Sequence, residues 1–280
     1  TRGVLVASVD AAMQRLPPRS YVDAHTLVLG TGQSLDLAAL RARLVAAGYA
    51  GVAQVVAPGE FAVRGGIVDL YPMGAPQPYR IDLFDDQVDT IRVFDPDSQR
   101  SGDRLPAVRL LPAREYPLQP DAIKEFRRRY RQRFEGDVTR SLVYRSVSDG
   151  HPTGGIEYYL PLFFERLATL FDYLPPGTLA IDTAGIAATA TRCWADVVER
   201  HEQRRHDVER PLLDPREVFI APDEFAAALA AVPGISASSA ALEPGDDGHA
   251  LRNYPVSAPP ALRIDPRATP PAADFLRFLD

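Results

Sequence analysis

Cysteine is nearly absent: Cys193 is the only one in 280 residues. That excludes a disulfide framework and any zinc site built on cysteines. A lone thiol suits a reducing cytoplasm, the location expected here. Lysine is just as scarce, since Lys124 stands alone against abundant arginine. A nucleotide-binding P-loop needs a lysine after a glycine-rich turn to reach the phosphates. Lys124 lies in Ala122-Ile123-Lys124-Glu125, with no such turn before it, so the chain carries no P-loop. No apolar run approaches the ~20 residues that span a bilayer, so no membrane association is expected. Asp10 breaks the early apolar stretch where a signal peptide would continue. There is no Gly-x-Ser-x-Gly elbow and no cysteine–histidine nucleophile context. His201 and His206 are five apart, on different helix faces, and make poor co-ligands. The chain therefore reads as a non-enzyme without metal or cofactor.

What is present is ordinary for a globular protein: 46% hydrophobic and 24% charged residues. The length leaves room for two domains. Net charge is −6, so the basic surplus of a dedicated duplex-binding domain is missing. The chain opens at Thr1 without methionine and runs at once into Val4–Val9, read as a buried strand, so it is taken as a piece of a longer protein.

Along the chain, Gly3–Val9 is expected to be a strand, with Asp10 capping a helix Ala11–Leu16 that Pro17-Pro18 ends. His25–Leu29 reads as a strand. Ser34 should cap a helix with Leu37, Leu40 and Leu44 on one face, stopped by Gly48. Three β segments follow: Phe61–Leu70, broken by a bulge at Gly65-Gly66, then Tyr79–Phe84, then Val88–Phe94. They read as a meander on the Leu40 helix, a small α+β domain. Asp121 should cap a helix Ala122–Glu135 that buries Ile123, Phe126, Tyr130 and Phe134. A strand Thr178–Ile181 and helices Thr183–His206 and Asp223–Ala231 come next. Pro255–Pro271 reads as an extended linker.

Side chains alternate faces along a strand. Tyr79, Ile81 and Leu83 therefore share the core face, and Arg80, Asp82 and Phe84 share the other. Arg64 likewise points away from the apolar side of its own strand. Exposed arginine and aromatic side chains are what interface hot spots favour. The plainer alternative pairs Arg80 with Asp82 or Asp89 and lets Phe84 cover a domain junction. Asp82, Asp85, Asp86 and Asp89 fit turn chemistry and charge pairing better than a metal site, having no histidine nearby. Arg127, Arg128, Arg129, Arg131 and Arg133 make one helix locally basic. It could track a phosphate backbone, although a solvated polar face is the commoner use of such a helix.

Longer motifs carry a resemblance. Gly59-Glu60-Phe61-Ala62-Val63-Arg64-Gly65-Gly66, Asp69-Leu70-Tyr71-Pro72-Met73-Gly74, Tyr79-Arg80-Ile81-Asp82-Leu83-Phe84-Asp85-Asp86 and Ile91-Arg92-Val93-Phe94-Asp95-Pro96-Asp97-Ser98-Gln99-Arg100-Ser101 closely resemble the bacterial transcription-repair coupling factor family (Mfd), in its N-terminal module homologous to UvrB. The likeness continues through Leu110-Leu111-Pro112-Ala113, Gly155-Ile156-Glu157-Tyr158-Tyr159 and Pro161-Leu162-Phe163-Phe164, and weakens beyond about Pro211.

The resemblance implies a mixed fold, α/β and α+β. A small β-meander-plus-helix UvrA-binding domain (23–108) would be inserted in a degenerate RecA-like, UvrB-like α/β domain (1–22 and 109–258). A proline-rich linker and the start of a next segment (259–280) would follow. It implies UvrA as partner, with Arg64, Arg80 and Phe84 as binding residues. RNA polymerase and duplex DNA would be partners of the whole protein through parts outside this chain. A monomer is expected. UvrB carries Asp-Glu-Ser-His after the strand that here reads Leu179-Ala180-Ile181; this chain has Asp182-Thr183-Ala184-Gly185. The glutamate that would orient an attacking water is missing, as is UvrB's tyrosine-rich hairpin before His25.

Overall fold

In a computed structural model the chain divides into two compact units, Thr1–Ile235 and Ser236–Asp280. The structure describes residues 3–151, 153–238 and 251–253. The linker expected at Pro255–Pro271 lies outside the described residues.

The opening of the chain departs from expectation. Residues 3–8 form no strand, and Val4 and Val6 are 92% and 89% exposed. An extended segment becomes a strand only where a neighbour takes up its backbone N–H and C=O groups. Among the described residues, none pairs with this stretch. The helix that follows, α1 (Val9–Ala12), is shorter than Ala11–Leu16 and holds Asp10 in its first turn rather than at its cap. Gln14 and Leu16 instead make isolated bridges to Phe219 and Ala168. A second helix, α2 (Arg19–His25), starts directly after Pro18, where none is expected from the sequence.

The next segment builds a sheet around one helix. Strand β1 (Leu27–Gly30) is followed by α3 (Leu37–Ala46) and the short β2 (Ala50–Gly51). The cap of α3 is Asp36, not Ser34: the Asp36 carboxylate accepts from the Ala38 and Ala39 amides, while Ser34 Oγ donates to Asp86. Gly48, at a φ of +90°, ends the helix as expected. Then come β3 (Glu60–Arg64), β4 (Ile67–Leu70), β5 (Tyr79–Phe84), β6 (Gln87–Phe94), β7 (Ser101–Leu105) and β8 (Ala107–Leu110). β2 through β7 form one six-stranded mixed sheet in chain order, parallel between β2 and β3 and antiparallel elsewhere; β1 pairs with β8.

The expected single strand Phe61–Leu70 is thus two strands. Gly65-Gly66 is the two-residue turn of a hairpin, with Gly65 at a φ of +58°, and not a bulge. Register shifts lie on β6 instead: Asp89 is the extra residue opposite Asp82 and Leu83 of β5, and pairing with β7 shifts between Arg92 and Phe94. One face of the sheet buries Phe61, Val68, Leu70, Ile81, Val88 and Ile91 against Leu40 and Leu44 of α3. That is the meander-on-helix core the alternation pattern implied.

Beyond Leu110 the chain is mostly helical. Helix α4 (Pro120–Arg133) has Gln119 as its cap residue with no side-chain bond, so Asp121 acts in the first turn and not as the cap. It buries Phe126 and Tyr130, with Ile123 and Phe134 partly covered, against Tyr144 and Val147 of α5 (Leu142–Ser148) and Phe163 of α6 (Leu160–Phe163). After α7 (Leu170–Tyr173), strand β9 (Ala180–Thr183) leads into the long α8 (Ile186–Arg204). Two shorter helices follow, α9 (Pro215–Val218) and α10 (Pro222–Ala230). Met13, Ala190, Ile220 and Phe225 make a third core. Among the described residues, no helix is long and apolar enough to cross a membrane.

Candidate docking face

The face of the six-stranded sheet turned away from α3 carries the residues singled out in the sequence. Its centre is a carboxylate. Asp69, in the middle of β4, is 0% exposed and stands opposite Ala62 on β3 and Arg80 on β5. A buried charge persists only where it is paired and hydrogen-bonded. Asp69 is paired twice. Arg80 grips it with a two-pronged fork, Nε to Oδ1 at 2.7 Å and Nη2 to Oδ2 at 2.9 Å. Arg64 Nη2 donates to the same Oδ2 at 2.6 Å.

Arg80 is held on every side. Its Nη1 donates to the Gln99 carbonyl at 3.1 Å, and its guanidinium lies 4.8 Å from the centre of the Phe94 ring. Gln99 is itself pinned at a φ of +59°, with Nε2 donating to the Val55 and Pro96 carbonyls. The hydrogen bonds to Asp69 push the Arg80 guanidinium further above its already high pKa. Its side chain is only 16% exposed, whereas that of Arg64 is 53% exposed. Phe84 ends β5 on the same face and is 74% exposed, beside the Asp85-Asp86 turn.

Two expectations need correction. Arg80 is not a freely exposed arginine but a largely buried one with an edge to solvent. Its partner is Asp69, not Asp82 or Asp89. Asp82 instead accepts from Thr90 Oγ1 at 2.7 Å. Asp69 is not among the residues expected at the site, although an aspartate inside the apolar run Ile67-Val68-Asp69-Leu70 is a signal: a buried carboxylate there needs a cation. Of the acidic cluster, Asp85 takes a φ of +54° in the turn and Asp86 binds Ser34, which is turn chemistry. Among the described residues, no group of histidine, cysteine, aspartate or glutamate is placed to hold a metal ion.

The basic helix α4 looks different in space. Arg128 and Arg129 both bind Glu125, Arg133 binds Glu217, and Arg127 and Arg131 lie over the Tyr144 ring. The two arginines hold the Glu125 carboxyl down to about 2.

The family model of the UvrB interaction domain matches residues 27–116, the stretch that contains this sheet. The Haemophilus influenzae transcription-repair-coupling factor is 37% identical over 100% of this chain and 24% of that protein. The Escherichia coli one is 45% identical over 80% of this chain, and the Bacillus subtilis one 32% over 64%. Residues 27–116 thus match the UvrB interaction domain family, and the chain is homologous to the transcription-repair-coupling factors. It spans about a quarter or less of the length of those relatives. Within the matched stretch, Arg64, Asp69, Arg80 and Phe84 fall on the sheet face turned away from α3.

Proposed function

We propose that this chain is a docking module of transcription-coupled nucleotide excision repair, which recruits UvrA by presenting a surface like that of UvrB. It does so without catalysis of its own. The observation that carries the reading is the arrangement around Asp69: one buried carboxylate holds two guanidiniums rigidly on a face that also exposes Phe84. Guanidiniums fixed before binding lose little side-chain freedom when a partner carboxylate arrives, and an exposed phenylalanine beside them fits an apolar pocket. RNA polymerase and duplex DNA would be met by other parts of the whole protein.

The rival reading, nucleic-acid binding by α4, is disfavoured because its arginines are already engaged by Glu125, Glu217 and Tyr144. The test is a calorimetric titration of UvrA with the wild-type chain and with Arg64→Ala and Arg80→Ala. A lost arginine at such a site weakens binding by about 30-fold or more. Arg64→Ala is the cleaner of the two, because removing Arg80 strips Asp69 of its fork. Unchanged affinity in both folded variants would falsify the assignment.

A further inference from the structure

The docking face holds more positive charge than the Asp69 cluster uses. On β6, Arg92 stands directly opposite Arg80, and on β7, Arg104 stands directly opposite Arg92. Three arginines therefore lie side by side on three adjacent strands, on the face turned away from α3. Like charges directly opposite one another destabilise a sheet. Asp69 answers this for Arg80 alone. Among the described residues, no ion pair forms to Arg92 or Arg104, and the buried Nε of Arg92 has no hydrogen-bond acceptor. Asp82, on the same face of β5, is committed to Thr90.

We propose that Arg92 and Arg104 form a second carboxylate-binding subsite of the docking face. It receives an aspartate or glutamate side chain of the same partner protein that meets Arg64, Arg80 and Phe84. The inference rests on the docking reading above and extends it from β5 across the next two strands, β6 and β7. The row runs Asp69, Arg80, Arg92, Arg104 across four strands, so its outer half presents two uncompensated cations at cross-strand spacing. A paired guanidinium fork matches a carboxylate, and the Nε of Arg92 is already out of water without an acceptor.

The rest of the face argues for protein over nucleic acid. Ile67 is 38% exposed and lies diagonally across from Phe84, giving an apolar end to the patch, and the hairpin beyond Phe84 carries Asp85 and Asp86. A phosphate backbone would meet both the carboxylates and the apolar end unfavourably. The occupant is thus an acidic segment with an apolar residue next to it, reaching from β7 to the tip of β5.

The experiment is a titration of UvrA with the wild-type chain, Arg64→Ala, Arg92→Gln, Arg104→Ala, and Arg109→Ala as an exposed control on β8. Arg104 sits exposed on the edge strand, so its variant folds irrespective of what Arg92→Gln does; thermal melts check both. We expect Arg92→Gln and Arg104→Ala each to weaken binding about tenfold and to reduce its salt sensitivity, with Arg109→Ala unchanged. If Arg64→Ala weakens binding while the Arg92 and Arg104 variants match wild type, the second subsite is wrong and the docking reading stands. If the wild-type chain does not bind UvrA, both fall together. A parallel titration with labelled duplex DNA covers the remaining case: binding that Arg92→Gln and Arg104→Ala abolish would make the row a phosphate site and overturn the proposal.

Discussion

Asp69 carries one negative charge between two guanidiniums, and it does so at zero exposure. Its replacement separates two roles that coincide in this face. Asp69→Asn keeps the shape but leaves Arg80 buried without a counter-charge. Breaking one side of a buried pair costs about 3–5 kcal/mol, and the half-exposed Arg64 contributes little to that. A loss of about 3 kcal/mol in urea unfolding is expected, together with weaker UvrA binding because both arginines lose their anchor. Stability equal to wild type would mean that the carboxylate does not hold the face together. Phe84→Ala should behave the opposite way. At 74% exposure its removal changes stability by no more than about 0.5 kcal/mol. Binding should fall by about 30-fold, as for an aromatic hot spot. A variant that is markedly destabilised yet binds UvrA as tightly as wild type would reverse that assignment.

Elements set how these side chains meet, and here the sequence was readable in parts. Alternation along Tyr79–Phe84 separates the buried Ile81 from the outward Arg80 and Phe84 because it needs only neighbours in the chain. The Arg80–Asp69 fork was not readable, because it depends on which residue of β4 lies opposite which residue of β5. Gly65-Gly66 was ambiguous for a related reason: glycine permits a bulge and a turn alike, and only the pairing of Arg64 with Ile67 decides. The cap of α3 lies two residues from the expected Ser34, since Ser34 and Asp36 are both good caps and the competing bond from Ser34 to Asp86 is long-range. The helix supports the sheet from the side away from Asp69, which allows a clean test. Asp36→Ala removes the acceptor for the Ala38 and Ala39 amides and should cost about 1 kcal/mol in urea unfolding. UvrA affinity should stay at the wild-type value; a large loss would mean that α3 shapes the docking face itself.

Across the unit Thr1–Ile235, buried tyrosines tie the cores together and fix how the fold responds to alkali. Tyr49 lies in the sheet core and donates to the Leu111 carbonyl at 2.6 Å; Tyr130 and Tyr159 lie in the helical core, where Tyr159 donates to the Pro211 carbonyl. Burial raises the phenol of each, to about 12 for Tyr49 and for Tyr21, and upward also for Tyr116, Tyr130, Tyr159 and Tyr173. In the unfolded chain these phenols ionise near an ordinary value of about 10. Between that pH and the raised folded values, the unfolded state sheds protons that the folded state keeps. Stability is therefore fully present below about pH 10 and falls as pH climbs from there toward 12, with several tyrosines adding to the slope. A series of thermal melts should show a midpoint insensitive to alkali up to that pH and dropping steeply beyond it. Tyrosinate absorbance should rise together with unfolding. Tyr49→Phe should shallow the decline while losing one hydrogen bond at neutral pH. If tyrosinate forms near pH 10 for all eleven tyrosines while the fold stays intact, these side chains are not desolvated as the cores require.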